Sequence, residues 1–325
     1  MTPSGVPPST LKVATALLTV YVVWGSTYLA IAVMIETLPP LLAAGVRYLV
    51  AGLLMLAFLW LRARLGGSQV ERTGRAQWRS AAIVGTLLLL GGNGFVVLSE
   101  LRIPSGISAV LVATVPIWLA LFDAVATRRR PSALAVGGIV AGFAGVAILL
   151  APVTGVTTID PLGIGLVLVA AISWALGSVY SRGAAMPRSA LLGTGMEMAA
   201  GGVALLLAGT VTGELSSFDP SQFSTSSLLA LGYLIVFGSL VAFTAYVWLL
   251  GNVPVSTAGT YAYVNPIVAV ALGALILREP ITLRTIFAAA LIVAAVIAMV
   301  SGRPRETAET APLPEGGTAE RGRAQ

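Results

Sequence analysis

Long apolar stretches separated by short polar segments make up most of this chain. They predict helices at about residues 11–35, 40–61, 80–98, 105–127, a stretch ending near 150, 161–181, 189–212, 226–249, 255–277 and 281–301. Most approach the roughly 20 residues that an α-helix needs to cross a bilayer. The pattern therefore predicts an all-α polytopic membrane protein with ten transmembrane helices. The polar ends, residues 1–10 and 302–325, are predicted to be disordered tails.

The chain also repeats itself at a distance of about 150 residues. Pro104 and Pro116 have the same spacing as Pro254 and Pro266. Arg47, in Gly45-Val46-Arg47, corresponds to Glu197 in Gly195-Met196-Glu197. A repeat of this length is far longer than a solenoid unit and indicates two related halves of one membrane body.

The first half covers residues 11–150 and the second residues 161–301, with a linker at 151–160. Each half has five predicted spans. Because five is odd, the second half is expected to cross the membrane in the opposite direction to the first. Inverted repeats are typical of transporters, whose site between the halves can open to either side.

The composition excludes a soluble globular domain. Hydrophobic residues make up 57% of the chain and charged residues 10%, against about 25% charged in an ordinary soluble domain. There is no cysteine and no histidine, so disulfides, thiolate metal sites and a Cys nucleophile are excluded, as is the usual proton carrier near neutral pH. We expect neither a metal nor a cofactor.

The positive charges predict the orientation. With the N-terminus inside, most arginines fall on the inner side, whereas Arg102, Arg278 and Arg284 fall outside. This bias predicts that both termini are cytoplasmic. It also explains the net charge of +6 without a nucleic-acid partner. The acidic residues assigned to the outer loops are Glu36, Glu100, Asp160, Glu214, Asp219 and Glu279.

An ordered set of short motifs runs along nearly the whole chain. It comprises Trp24-Gly25-Ser26-Thr27-Tyr28, Pro39-Pro40-Leu41, Gly45-Val46-Arg47-Tyr48, Gly92-Asn93-Gly94, Pro104-Ser105-Gly106, Ala113-Thr114-Val115-Pro116, Ser173-Trp174-Ala175 and Tyr261-Ala262-Tyr263-Val264-Asn265-Pro266. Together these motifs resemble the EamA family of the drug/metabolite transporter superfamily, and within it the YedA-like exporters.

This resemblance implies a carrier of the bacterial cytoplasmic (inner) membrane, built from two inverted five-helix halves. It also implies a central cavity lined mainly by spans 1, 3, 4, 6, 8 and 9. The family moves amino acids, nucleotide precursors, sugars and drug-like molecules, so the resemblance does not fix a substrate.

Arg47 and Glu197 are the ionisable residues placed deepest in the predicted spans. A charge near the bilayer centre is costly unless it is paired or hydrated, so such residues are functional candidates. Glu197 is a candidate proton or substrate-amine site, with Arg47 as its partner or as a clamp for a substrate carboxylate. The alternative is a structural polar clasp between two helices.

The expected cavity lining combines aromatic faces, hydroxyl groups and few charges. Such a surface suits a small amphipathic or zwitterionic solute and suits a polyanion poorly. Alternative roles are helix-helix contact for the polar residues and interfacial anchoring for aromatics near span ends. The cavity candidates are Trp24, Ser26, Tyr28, Asn93, Thr114, Trp118, Trp174, Ser178, Tyr246, Tyr261, Tyr263 and Asn265.

Pro116 and Pro266 are candidate hinges, because proline leaves a backbone carbonyl one turn earlier without its donor. Proline kinks also occur in membrane helices that bind nothing. Gly138, Gly142 and Gly145 in the fifth span indicate tight helix packing. The fifth and tenth spans are expected either to seal the bundle or to form a homodimer contact.

The sequence thus predicts a secondary active transporter that exports a small amphipathic or zwitterionic metabolite (amino-acid-like, purine-like or drug-like) by alternating access. Coupling to protons is an open alternative, as is an uncoupled facilitator or channel-like permease. A membrane-embedded enzyme is a remote alternative, since the usual His and Cys groups are missing and Glu197 is the one carboxylate placed deep in a span.

Overall fold

The computed structural model describes residues 9–66, 71–128, 133–150, 159–253 and 255–301. The predicted C-terminal tail, residues 1–8 of the predicted N-terminal tail and most of the predicted linker lie outside these ranges, whereas Ser9 caps the first helix and Thr10 begins it. All regular structure in the described ranges is helical.

Fourteen α-helices and two π-helical segments follow one another. They are α1 (Thr10–Met34), α2 (Pro40–Leu65), α3 (Arg75–Gly85), π1 (Thr86–Gly94), α4 (Phe95–Glu100), α5 (Ser105–Val112), α6 (Val115–Thr127), α7 (Ala133–Leu150), α8 (Pro161–Gly183), α9 (Ala190–Val211), α10 (Thr225–Tyr233), π2 (Leu234–Val241), α11 (Ala242–Asn252), α12 (Val255–Ala258), α13 (Tyr261–Ile276) and α14 (Leu283–Ser301). Two short 3₁₀ turns, Glu214–Ser217 and Pro220–Gln222, connect α9 to α10.

Among the described residues, seven helical stretches are long and apolar enough to cross a membrane, and three shorter apolar helices lie at Val136–Leu149, Val264–Ile276 and Leu283–Ala295. These stretches confirm the predicted all-α membrane architecture. The count of ten spans and the orientation remain predictions.

Several helices begin at residues whose side chains satisfy the first backbone N–H groups. Ser9, Asp160, Ser189 and Ser224 accept hydrogen bonds from the N–H groups of Lys12, Leu162, Leu192 and Ser227. A side-chain oxygen at this position replaces a partner that the first turn lacks. The start of each of these helices is therefore fixed locally by the sequence.

Helices α2 and α9 pack together at glycines, where their backbones approach closely. A Cβ atom added to Gly52 would lie 2.5 Å from the backbone nitrogen of Ala199, and one added to Gly202 would lie 2.4 Å from that of Leu49. Small residues allow such close packing where apolar burial gives no net driving force in lipid. The second predicted span, in the first half, therefore packs tightly against the seventh, in the second half.

Helices α7 and α14 form a second such pair. A Cβ on Gly145 would lie 2.6 Å from the Ile292 side chain, and one on Gly142 would lie 2.1 Å from Ile117. The structure thus brings the fifth and tenth predicted spans together, and these two glycines lie at tight packing points.

The third and eighth predicted spans each contain a π-helical segment, of nine residues in π1 and eight in π2. The two segments occupy corresponding places in the two halves. Such wide turns are rare and frequently occur at functional sites. Neither π1 nor π2 was predicted from the sequence.

Candidate functional site

Four aromatic side chains from three helices meet around Trp24. The Trp24 ring lies 5.1 Å from Phe243, 5.1 Å from Tyr246 and 5.0 Å from Tyr261, measured between ring centroids. Tyr246 and Tyr261 are themselves 5.4 Å apart, edge to face. All four side chains are partly exposed, so this Trp24 cluster is a half-buried aromatic surface. Trp24, Tyr246 and Tyr261 were predicted to line the cavity, whereas Phe243 was not.

The π-helical segments offer carbonyl groups to side chains from neighbouring helices. Trp24 Nε1 donates to the Gly238 carbonyl in π2 at 3.2 Å. Ser173 Oγ donates to the Leu87 carbonyl in π1 at 2.8 Å, and the adjacent Trp174 lies against Gly92. Trp24 and Trp174 occupy corresponding positions in the repeat, so both halves attach a helix to a π segment through this region.

Arg47 is almost fully buried, with 3% of its surface exposed. Its Nε donates to Ser239 Oγ at 3.0 Å, and its guanidinium lies 4.5 Å from the centroid of the Tyr48 ring. The bond to Ser239 joins α2 to π2. Arg47 thus makes a polar contact between helices, but with Ser239 and not with the predicted partner Glu197.

Glu197 does not pair with Arg47 in this structure. In the described part of the chain, its carboxylate has neither a hydrogen-bond donor nor an ion-pair partner. Its backbone carbonyl lies against Gly85, where an added Cβ would come within 2.3 Å of the oxygen. Glu197 is therefore held at the close contact between α3 and α9.

The predicted hydroxyl groups mostly bond within their own helices. Thr114 donates to the Leu111 carbonyl at 2.7 Å and Ser178 to the Trp174 carbonyl at 2.8 Å. Ser26 also reaches across helices to the Tyr233 hydroxyl, at 2.6 Å. Tyr233 is not one of the predicted cavity residues, so its contact with Ser26 is an addition to the predicted set.

Three predicted residues have polar atoms that are weakly bonded or unbonded. Asn93 Nδ2 lies 3.5 Å from the Leu88 carbonyl, at the limit of a hydrogen bond. Asn265 Oδ1 and Trp118 Nε1 are buried with no hydrogen-bond partner among the described residues. Trp118 packs edge to face on Phe143 of α7 at 5.3 Å. The side chain of Tyr263 lies outside the described part of the structure.

The fourth and ninth predicted spans are both broken. The first break falls between α5 and α6, at Ala113 and Thr114, just before Pro116. The second falls between α12 and α13, before Tyr261, whereas Pro266 lies inside α13. Pro116 thus lies beside a break, as a hinge residue would, and Pro266 does not.

The assignment of Glu100 to an outer loop is wrong. Glu100 is the last residue of α4, and both of its carboxylate oxygens are buried with no hydrogen-bond partner among the described residues. Its position directly after a long apolar run was the available signal. The nearby Arg102 pairs instead with Asp160, at 3.0 Å.

Glu279 binds the first turn of α5. Its two carboxylate oxygens accept hydrogen bonds from the backbone N–H groups of Ser105 and Gly106, at 2.7 and 3.1 Å. Glu214 binds Leu41 and Leu42 at the start of α2 in the same way, at 3.0 and 2.9 Å. A carboxylate is favoured there because the N-terminal end of a helix carries partial positive charge.

Asp160 makes a similar contact at the start of α8, through the Leu162 N–H. The Leu162 N–H, and next the Arg102 guanidinium, hold the pKa of Asp160 below its usual range. Both donors favour the charged carboxylate. Asp160 therefore remains ionised while it caps α8.

The paired helices, the broken spans and the half-buried aromatic centre define a polytopic membrane protein of the carrier class. The chain belongs to the EamA-like transporter family, which matches it twice, over residues 11–151 and 161–301. It is accordingly a two-repeat, multi-pass protein of the inner membrane.

Individual relatives agree with this assignment. The chain is 41% identical over 292 residues to the uncharacterized inner membrane transporter YedA of Escherichia coli K12, covering 89% of this chain and 90% of YedA. It is 29% identical over 288 residues to the uncharacterized transporter YvbV of Bacillus subtilis, covering 88% and 91%. These relatives are named as transporters rather than enzymes. A solved crystal structure with 22% identity, covering 91% of this chain and 98% of its own, has a TM-score of 0.58 and supports the fold.

Proposed function

We propose that this protein is a secondary active transporter that exports a small amphipathic or zwitterionic metabolite by alternating access. In this proposal ten helices cross the inner membrane with both termini in the cytoplasm. The observation that carries the proposal is the Trp24 cluster, which lies beside π2 and next to the break before Tyr261.

The chemistry of the cluster favours a solute with an apolar or aromatic part. Ring faces bind apolar groups and also attract organic cations. The positive charge of Arg47 is nearby, but the side chain is 3% exposed and bonded to Ser239, so it offers a site for one carboxylate at most. An amino-acid-like, purine-like or drug-like molecule fits this surface better than a polyanion does.

The broken spans suit a rocking movement. Helices α5 and α6 both pack against α8 and α14, and α5 also packs against α1 and α13. The break at Ala113 and Thr114 separates these two halves of the fourth span. A joint at this point would let one end of the bundle close while the other opens.

Proton coupling through Glu197 is part of this proposal. Glu197 lies within α9 and has no ion-pair or hydrogen-bond partner in the described residues. If it drives transport, Glu197→Gln should abolish flux that depends on a pH gradient while leaving solute exchange intact. Unchanged coupled flux in this variant would remove Glu197 from the mechanism.

Reconstitution into liposomes tests the transport function. Purified full-length protein is first screened for thermal stabilisation by amino acids, purines, sugars and cationic drugs, because a ligand of the folded state raises its apparent stability. Each hit is then tested for counterflow, meaning uptake of labelled solute driven by unlabelled solute inside. Saturable counterflow is expected for a carrier, and its absence for every stabilising solute would count against one.

Two tryptophan variants locate the site. Trp24→Ala removes the centre of the aromatic cluster and should reduce counterflow at least tenfold, since stacking on one aromatic side chain contributes about 1–3 kcal/mol. Trp60→Ala is the matched control, because Trp60 is 51% exposed and stacks on Arg64 near the end of α2. Equal losses in both variants would show that the Trp24 cluster is not the binding surface.

A further inference from the structure

Glu279 closes one end of the bundle by joining the segment after α13 to the start of α5. Its carboxylate binds the N–H groups of Ser105 and Gly106. Gly273 makes room for it, since a Cβ there would lie 2.4 Å from Glu279 Oε2. Arg278 adopts the left-handed φ of 56° that turns the chain back, a conformation that costs energy for a residue other than glycine. We call the contact of Glu279 with Ser105, Gly106 and Gly273 the Glu279 clasp.

Glu100 lies next to this clasp. The end of α4 meets α5 directly, because Ser99 Oγ and Ser108 Oγ are 3.1 Å apart. Glu100 follows Ser99, and Ser108 lies one turn after Ser105, whose N–H binds Glu279. Both carboxylate oxygens of Glu100 and the Ser105 hydroxyl are buried without a hydrogen-bond partner among the described residues. A carboxyl group and a hydroxyl group with unused bonding capacity therefore lie at this end of α4 and α5.

The two carboxyl groups differ in their surroundings. Glu279 receives two backbone N–H groups at a helix N-terminus, and this arrangement stabilises its ionised form. Glu100 receives no donor from the described residues, and burying an ionised carboxylate without a partner costs several kcal/mol. A second negative charge beside Glu279 would add repulsion.

The other charged and titratable groups at this end do not neutralise Glu100. Tyr28 on α1 and Tyr48 on α2 carry no positive charge at neutral pH. Arg47 binds Ser239, and Arg102 binds Asp160 at the start of α8. No group of three acidic, His or Cys side chains able to hold a metal ion occurs in the described ranges. A proton is the cation that fits.

We propose that Glu100 is a proton-binding site, and that the Glu279 clasp closes when Glu100 takes up a proton. Loss of the proton recreates a buried charge beside Glu279, and opening relieves it by admitting water to Glu100. The inference rests on the proposed alternating-access function, to which it adds a proton that binds at the gate. It is distinct from the role proposed for Glu197.

Cysteine labelling tests the clasp without any substrate. The chain has no cysteine, so Ser105→Cys introduces one thiol at the clasp while keeping the backbone N–H that Glu279 binds. A water-soluble maleimide labels this thiol. Because the thiolate is the nucleophile, alkylation itself becomes faster as pH rises, so each rate is divided by the rate for a cysteine at exposed Ser216 at the same pH. This corrected labelling rate should be low at about pH 6 and should rise toward about pH 9 by up to about tenfold per pH unit, because one proton is linked to closure.

A second substitution assigns the effect to Glu100. Glu100→Gln imitates the protonated carboxyl group, so Ser105→Cys in this background should be labelled slowly at every pH. Glu36→Gln is the matched control, since Glu36 is exposed just after α1, and it should keep the pH dependence. The proposal would be overturned by a corrected labelling rate that is independent of pH with Glu100 intact. It would also be overturned by a corrected rate that still depends on pH in Glu100→Gln.

A measurement on the unaltered protein covers the case in which Glu100→Gln does not fold. Dicyclohexylcarbodiimide reacts with protonated carboxyl groups in apolar surroundings, so mass spectrometry should find Glu100 modified near neutral pH and protected at high pH. No modification of Glu100 would overturn the proposal. None of these readouts requires transport, so a failure of counterflow and a failure of the proton site are distinguishable.

Discussion

The buried charge of Arg47 is held by a partner that lies far away in the sequence. Arg47 is bonded to Ser239 and stacked on Tyr48, and its repeat counterpart Glu197 makes neither contact. The repeat predicted that these two residues would lie at similar depth, but pairing depends on side-chain direction, which the repeat does not encode. A residue's chemistry can thus be predicted from its type and depth, whereas its partner cannot.

The bond between Arg47 and Ser239 predicts a loss of stability on substitution. Ser239→Ala leaves the buried guanidinium Nε without its acceptor, which should cost about 2 kcal/mol because the donor is charged. Ser178→Ala is the control, since Ser178 bonds only to a carbonyl of its own helix, and its effect should be smaller. Thermal unfolding in detergent gives the midpoints of both variants, and equal midpoints would contradict a stabilising bond between Arg47 and Ser239.

Asp160 predicts a dependence of stability on acidic pH. Its pKa is lowered in the folded protein by the Leu162 N–H and then by Arg102. The stabilisation is therefore present above the unfolded pKa and is lost as pH falls through the lower folded value. Asp160→Asn keeps the helix cap but cannot titrate, so its unfolding midpoint should change less with pH in this acidic range. A midpoint that falls as steeply as in the unaltered protein would assign the effect to other groups.

At the scale of helices, carboxylates from the connecting segments bind backbone N–H groups at the N-terminal ends of three helices. Glu214 binds the start of α2, Glu279 the start of α5, and Glu71 the segment just before α9 through Arg188 and Ser189, at 3.1 and 3.2 Å. Glu71 and Glu214 lie in equivalent loops of the two halves. Because each loop follows one helix and binds another, the caps also join helices to one another.

These caps predict that removing the capping carboxylate lowers the stability by a similar amount in the two halves. Glu214→Ala and Glu71→Ala each remove the acceptor for two backbone N–H groups and should cost about 1–2 kcal/mol, as helix caps do. Glu36→Ala, at an exposed position near the start of α2, should change stability by less than about 0.5 kcal/mol. Unfolding midpoints of the three variants provide the comparison. A neutral Glu214→Ala would mean that water replaces the carboxylate without cost.

The membrane helices could be predicted from the sequence, but only one of the two breaks in them could. Apolar runs of spanning length specify the membrane helices directly, and the break next to Pro116 follows from proline geometry. The break before Tyr261 has no such residue, and π1 and π2 have no propensity signal, because they arise from packing between helices. Glu100 was misplaced for a related reason: whether a carboxylate at a helix end reaches water depends on which helix lies beside it.

At the scale of the whole molecule, the two halves are alike in architecture and unlike in charge. The pairs α2 with α9 and α7 with α14 each join one half to the other, and both halves have a π segment. The repeat aligns Glu279, which forms the clasp, with Arg129 of the first half. A cation at that position could not bind helix N–H groups as Glu279 does, so the sequence provides this carboxylate clasp in the second half alone.

The orientation of the molecule predicts which loops react from outside the cell. With both termini in the cytoplasm, a cysteine at exposed Ser216 should react with a membrane-impermeant maleimide in intact cells. A cysteine at exposed Ala76 should react only after the membrane is permeabilised. The natural absence of cysteine keeps the background low. The reverse pattern would place the N-terminus outside.

The π segments have one more consequence, which concerns rotation about a helix axis. Each residue of an α-helix advances by about 100°, so every residue that a wide turn absorbs changes the direction of all side chains after it. The face that α3 presents before π1 is therefore rotated relative to the face that α4 presents after it. The faces of α10 and α11, on either side of π2, are rotated in the same way. Tyr246 follows π2 and contacts Trp24, so deleting one residue from π2 would turn the Tyr246 side chain more than a quarter of the way around its helix, away from Trp24.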